Sequence, residues 1–181
     1  NEQVYQLRQA AKSELDLLKR CLKSVEEIDR FIDKDPRRAA EVASKLREFA
    51  PAFHLDSELR IQLEEINKSL GLLNVAMLDL RTDNLVGAID QLQKASISSS
   101  QPLATEASQL LGRVRETEAE TNIINRLLSA GKPIEASERL DNLFKLIGNE
   151  FHIPMLSKLR DEVDLAMQID QQTNDLYTAL K

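Results

Sequence analysis

The chain has 181 residues, 42% of them hydrophobic and 30% charged; it is long enough to bury a core and too apolar to stay disordered. Its net charge of −6 repels phosphate backbones, and no Lys/Arg-rich run with interleaved aromatics offsets that, so nucleic acid is not an expected partner. Five glycines, five prolines and no Trp specify few turns and favour long helices over strands.

The first element is predicted over about Gln3 to Lys34. Val4, Leu7, Ala11, Leu18, Cys21, Val25, Ile28 and Ile32 recur in alternating three- and four-residue steps, broken only by Glu14, which lines one helix face. Asp35-Pro36 is a restart signal, an N-cap followed by a first helical proline. A short helix follows, roughly Pro36 to Ala50, with Ala39, Ala43, Leu46 and Ala50 inward and Pro51 as its end. The third segment has an unbroken stripe of Leu59, Leu63, Ile66, Leu70, Leu73, Met77 and Leu80, with Asp56 or Ser57 as its cap. Asp83 is expected to cap a short fourth helix carrying Leu85, Ala88, Leu92 and Ala95. SISSSQP, residues 96–102, reads as a polar connector, and Pro102 opens a long fifth helix with Leu103, Ala107, Leu110, Val114, Thr117, Thr121, Ile124 and Leu128 on its stripe. SAGKP at 129–133 ends it. A sixth, short helix carries Ile134, Ala136, Leu140, Leu143 and Ile147, with Gly148 as C-terminal cap. The seventh starts at Pro154 and runs through Leu156, Leu159, Val163, Ala166, Asp170, Thr173, Tyr177 and Leu180. Roughly four-fifths of the chain is then helical, far above the usual third.

Landmarks recur at a fixed distance. The short helices restart at Pro36, Asn84 and Pro133, 48 and 49 residues apart, and Ala39, Ala88 and Ala136 keep the same rhythm. A common period in caps, breaks and core positions marks an internal repeat. The expected fold is therefore all-α: seven helices, alternately long and short, forming an α-solenoid of roughly three 48-residue helical hairpins. A leading helix (1–34) precedes repeats at 35–82, 83–131 and 132–181 within a single domain. The short LLSAGKPIEASERLDNLFKL stretch at 127–146, and more loosely LRTDNLVGAIDQLQKA at 80–95, resembles the tetratricopeptide-type helical-hairpin proteins. Gly131 stands at the turn and Ala136 at the small packing position; Asp83 and Ala88 take those places in the second stretch. The resemblance implies a stacked, partner-binding scaffold and transfers no site residues. The period here exceeds that family's, which is about 34 residues.

Two near-identical stretches, Phe53-His54-Leu55 and Phe151-His152-Ile153, hold both histidines, 98 residues or two periods apart. Repeats two steps apart are separated by roughly 20 Å, given helix spacings of about 8–10 Å, so the imidazoles are expected to be turn residues and not joint ligands. No phosphate-cradling glycine motif occurs among the glycines at 71, 87, 112, 131 and 148. Cys21 lies on the inner stripe and is expected to be a small buried apolar residue. VEEIDRFIDKD at 25–35 lacks the order of a calcium loop, and ETEAET at 116–121 lacks the Glu-x-x-His step of a di-metal bundle. Gly71 and Gly112 fall inside long helices, where the expectation is tight helix contact or a bend.

No catalytic, cofactor-binding or metal-binding residue is therefore assigned, and no cofactor or enzymatic activity is expected. Thr117, Thr121, Asp170 and Thr173 interrupt the stripes late in the long helices and are the candidate partner-binding residues, on helix ends expected to project from the packed body. The expected function is a non-enzymatic protein–protein interaction or scaffold module. The alternative is a segment of an elongated coiled-coil or tethering assembly that self-associates, which the first helix's heptad steps favour. The longest apolar runs, such as VAML at 75–78, are too short for membrane insertion. A lone cysteine is compatible with a reducing cytoplasm, the expected location. No secretory leader is read, and a first residue that is Asn and not Met marks the chain as an expected piece of a longer one.

Overall fold

The computed structural model describes residues 2–148 and 153–180. Among these residues the protein is all-helical: α1 (Glu2–Phe31), α2 (Pro36–Phe49), α3 (Ser57–Arg81), α4 (Leu85–Ala95), α5 (Gln101–Ser129), α6 (Pro133–Ile147) and α7 (Pro154–Ala179). Long and short helices alternate, as the stripes and caps require. The chain divides into two compact units, one comprising residues up to Gly71 with Ala95–Glu106, the other Leu72–Lys94 with the chain from Ala107 on.

In the first unit α1 packs against α2. The Asp35 side chain accepts the Arg38 N–H at 3.1 Å, Pro36 opens the helix, and Ala39, Ala43 and Leu46 turn inward. Small side chains here let the helices approach closely, and Cys21 and Ile28 of α1, with Ile32 just beyond it, are buried. Arg38 closes the pair from outside, 3.0 Å from Glu27 and stacked over Phe31 at 4.1 Å. Asp56 caps α3 by accepting the Glu58 and Leu59 N–H groups at 3.0 and 2.9 Å. The serine connector is tied down: Ser98 and Ser69 hydroxyls hydrogen-bond at 2.7 Å, and Ser99 bonds the Glu65 carboxylate. Arg37 of α2 meets Glu106 at 2.6 Å.

In the second unit α6 packs against α7. Ala136, Leu140, Leu143 and Ile147 are buried with Leu156, Leu159 and Val163; Ile134, expected inward, is exposed. Ion pairs link successive helices, Arg139 to Glu120 at 2.8 Å and Arg160 to Asp141 at 2.5 Å. The Glu120 of ETEAET is thus an anchor for α6. Two turns here have the same construction. Asn84 N–H donates to the Asp79 carbonyl at 2.8 Å across a left-handed Asp83, and Lys132 N–H donates to the Leu127 carbonyl at 3.0 Å across a left-handed Gly131. Both close the preceding helix with the wide bond of a Schellman turn.

Asp83 does not cap α4. Asn84 does, accepting the Gly87 N–H at 3.0 Å and donating to Asp79 at 2.9 Å. An added Cβ at Gly87 would collide with the Asn84 side chain and force it to move. The Asp83 carboxylate instead accepts the Met155 N–H at 2.7 Å, with Lys158 at 3.6 Å. It serves the start of α7, whose own N-cap, Ile153, offers no side-chain acceptor. Gly71 and Gly112 are exposed, and a Cβ on either would meet nothing within 4 Å; the expectation of tight helix contact at these glycines is corrected.

Candidate interaction surfaces

The sequence reading places all of α1 against a core. Only its last third is. Every residue from 2 to 20 is exposed, including Val4, Leu7, Ala11 and Leu18 of the predicted inner stripe. The cause is length. α1 has 30 residues and α2 has 14, so at about 1.5 Å per residue the returning helix covers only the stretch that holds Cys21, Ile28 and Ile32. The uncovered part carries its own stripe: Val4, Leu7, Ala11, Leu15, Leu18 and Leu22 follow steps of three and four without a gap, and the five larger side chains are 50% to 70% exposed. Arg8, Lys12 and Lys19, at steps of four and seven, line one flank of it. Between residues 2 and 23 five basic side chains outnumber three acidic ones, in a chain whose net charge is −6.

α7 repeats the situation. Its partner α6 has 15 residues against its own 26, and residues 171–180 are all exposed. Leu165, Ile169, Leu176 and Leu180, 56% to 83% exposed, fall on one face by helical spacing. Asp161, Glu162, Asp164, Asp170 and Asp175 accompany them, and no Lys or Arg occurs from 161 to 180.

The four candidate residues are split. Thr117 and Thr121 are buried on α5, so the expectation that this part of α5 projects is corrected. Thr117 is satisfied within its helix, donating to the Arg113 carbonyl at 2.8 Å; the Thr121 hydroxyl has no hydrogen-bond partner among the described residues. Asp170 is half-buried, and Thr173 is exposed and donates to the Ile169 carbonyl at 2.8 Å. Both lie on α7 close to the uncovered stripe. The signal that would have found these surfaces is the mismatch in helix lengths, together with Leu15 and Leu22, which the heptad reading left off the stripe.

Other sites are plain surface. A groove in the first unit is lined by Arg20, Glu27, Arg38, Glu41, Lys45 and Phe49, with Glu27 paired to Arg38, Glu41 to Lys45 and Arg20 over the Phe49 ring. Glu41 is held below the ordinary carboxylate value by the Lys45 ammonium at 2.5 Å, which is raised in turn. His54 is exposed beside Phe53, Leu55 and Arg60 in a second groove, while Phe151 and His152 lie outside the described residues. Among the described residues no three His, Cys, Asp or Glu side chains are grouped to hold a metal, and no helix is long and apolar enough to cross a membrane. Cys21 is buried. Comparison with family models, curated proteins and solved structures finds no match to this chain.

Proposed function

We propose that the chain is a non-enzymatic scaffold that binds other proteins, built as a solenoid of about three tetratricopeptide-like helical hairpins of about 48 residues. Several features support the repeat. α2, α4 and α6 are short and begin at Pro36, Leu85 and Pro133. Ala39, Ala88 and Ala136 are all fully buried, as equivalent packing positions should be. The paired turns at Asp83 and Gly131 stand 48 residues apart. The Asp83 bond to Met155 is the kind of neighbour-to-neighbour contact on which stacked units depend. A cytoplasmic location belongs to the same reading.

The uncovered apolar stripe of α1 is the observation that carries the interaction role. Contiguous exposed apolar surface on a folded protein is costly unless something docks on it, and a helix with anchors at steps of three and four is the usual shape of helix-to-helix recognition. The test is affinity capture with the immobilised chain beside a Leu7→Glu/Leu18→Glu variant, whose exposed positions leave folding intact. A protein retained by the parent and released by the variant is expected. Equal retention by both, or none by either, overturns the reading. The second reading, a self-associating coiled-coil segment, is favoured by the same stripe; light scattering at low micromolar concentration separates the two, since an inter-chain coil should already be an extended oligomer there.

A further inference from the structure

The structure assigns an occupant to the free half of α1: the free half of α7 in a second copy of this chain. The inference rests on reading the chain as an interaction module and names one partner of it. Three properties of the two faces match. Their exposed stripes are of similar length, Val4–Leu22 and Leu165–Leu180 extending about 27 and 23 Å at 1.5 Å per residue. Their stripes share the helical period: the first is built on steps of three and four, the second on steps of four, seven and four with Thr173 in its gap, so side chains of one fit between those of the other as in any long helix pair. Their charges are opposite. Arg8, Lys12 and Lys19 flank the first stripe, while the second is bordered by Asp161, Glu162 and Asp175 with no basic residue between 161 and 180.

The alternatives fit less well. Two α1 helices paired with each other set basic flank against basic flank when antiparallel. An anionic lipid surface would suit the basic flank, but it would meet a chain of net charge −6 and the interspersed Glu14 and Asp16. The proposed contact is heterologous: the surface used on one copy differs from that used on the next. One helix pair of this length lies at the small end of specific interfaces, below about 1,200 Å². Assembly is therefore expected only near 100 µM, on the order of weak encounter complexes, and is expected to fade between about 0.05 M and 0.5 M salt.

Sedimentation velocity on the whole chain tests this with two charge-reversed variants, all at exposed positions. Arg8→Glu/Lys12→Glu/Lys19→Glu disables the first face, and Asp161→Lys/Glu162→Lys/Asp175→Lys disables the second. Each variant alone is expected to be at least about tenfold weaker in self-association than the parent, with an unchanged helical spectrum. Mixed, each supplies the intact face that the other lacks, and assemblies containing both variants should form at concentrations where neither assembles alone. A chain carrying both sets, with polarity exchanged, should assemble again. A parent that stays monomeric at about 0.5 mM in low salt overturns the proposal, as does a first variant that assembles like the parent. So does a mixture that stays monomeric. Recruitment of the parent to phosphatidylserine vesicles without self-association would overturn it in favour of a lipid surface. A monomeric parent that still passes the capture test would sink this pairing and leave the scaffold reading standing.

Discussion

Asp83 offers a separable test of how two distant stretches of chain are joined. It holds a positive φ of 61°, a conformation that suits Gly best and tolerates Asp and Asn. Its carboxylate also accepts the Met155 N–H at 2.7 Å, one of the otherwise orphaned donors at the start of α7. Three substitutions divide these contributions. Asp83→Asn keeps the backbone tolerance and an acceptor oxygen but loses the charge, which is worth about 0.3–1 kcal/mol at a helix N-terminus. Asp83→Gly relieves the left-handed strain by about 1 kcal/mol but loses a charge-assisted hydrogen bond of about 1.5–3 kcal/mol, a net loss near 1 kcal/mol. Asp83→Ala loses the bond without relief and should cost about 2–3 kcal/mol. For a chain of this size, each kcal/mol moves the midpoint of unfolding by about 2–4 °C. Thermal unfolding followed by far-ultraviolet circular dichroism should therefore rank wild type above Asn, Asn at or slightly above Gly, and Ala lowest by roughly 4–12 °C. The distinguishing comparison is Gly against wild type. A glycine variant more stable than the parent by the full strain relief of about 1 kcal/mol, or about 2–4 °C, would show that the bond to Met155 contributes nothing.

Further substitutions probe the packing. Ala88→Arg forces a long cation into a fully buried position and should cost at least about 3 kcal/mol through overpacking and an unpaired charge; an unchanged melting temperature would mean that the face is misassigned. Gly112→Ala fills open space in the middle of α5 and should raise stability by about 1 kcal/mol, read as a higher urea midpoint at constant slope. Gly87→Ala should bring no such gain, because the new methyl displaces Asn84, whose cap of about 1 kcal/mol offsets the helix preference of Ala. Thr121→Val removes a buried hydroxyl without a partner and should stabilise by about 1 kcal/mol. Thr117→Val, losing a satisfied one, should not stabilise.

Local signals were the legible part of this fold. Asp35-Pro36, Asp56, Gly131 and Gly148 announce their caps and turns because each acts within a few residues of itself, and the observed hydrogen bonds at these positions follow. The stripes of α3 and of α6 are buried largely as their periodicity requires, with Ser69 and Ala76 added to the core and Ile134 turned outward. Asp83 shows where local reading stops. Its acceptor could serve the helix beginning two residues later or one beginning 71 residues later, and nothing in the neighbouring sequence distinguishes them. Asn84 takes the local role, leaving Asp83 free for the distant one. The polarity of Thr117 and Thr121 was similarly ambiguous. A threonine on a stripe reads as a sign of exposure, yet in α5 one hydroxyl returns to its own helix backbone and both side chains sit in the core.

The candidate surfaces were legible only in part, for a reason that periodicity cannot overcome. An apolar stripe states that a face wants cover; it does not state what supplies it. In α1 the stripe runs from Val4 to Ile32, and the same pattern is satisfied within the chain below Cys21 and unsatisfied above it. The boundary is set by α2, whose 14 residues end where Ala50 and Pro51 stop it. Lengthening α2 would cover the upper stripe and remove the exposed face proposed for docking. The length of a short helix therefore decides how much of its long neighbour is left uncovered, and the same holds for α6 and α7. This makes the free halves a consequence of alternating long and short helices rather than an added feature. It also means that their side chains can be changed for specificity while the packed halves keep the fold, which is why the charge-reversed variants should fold as the parent does.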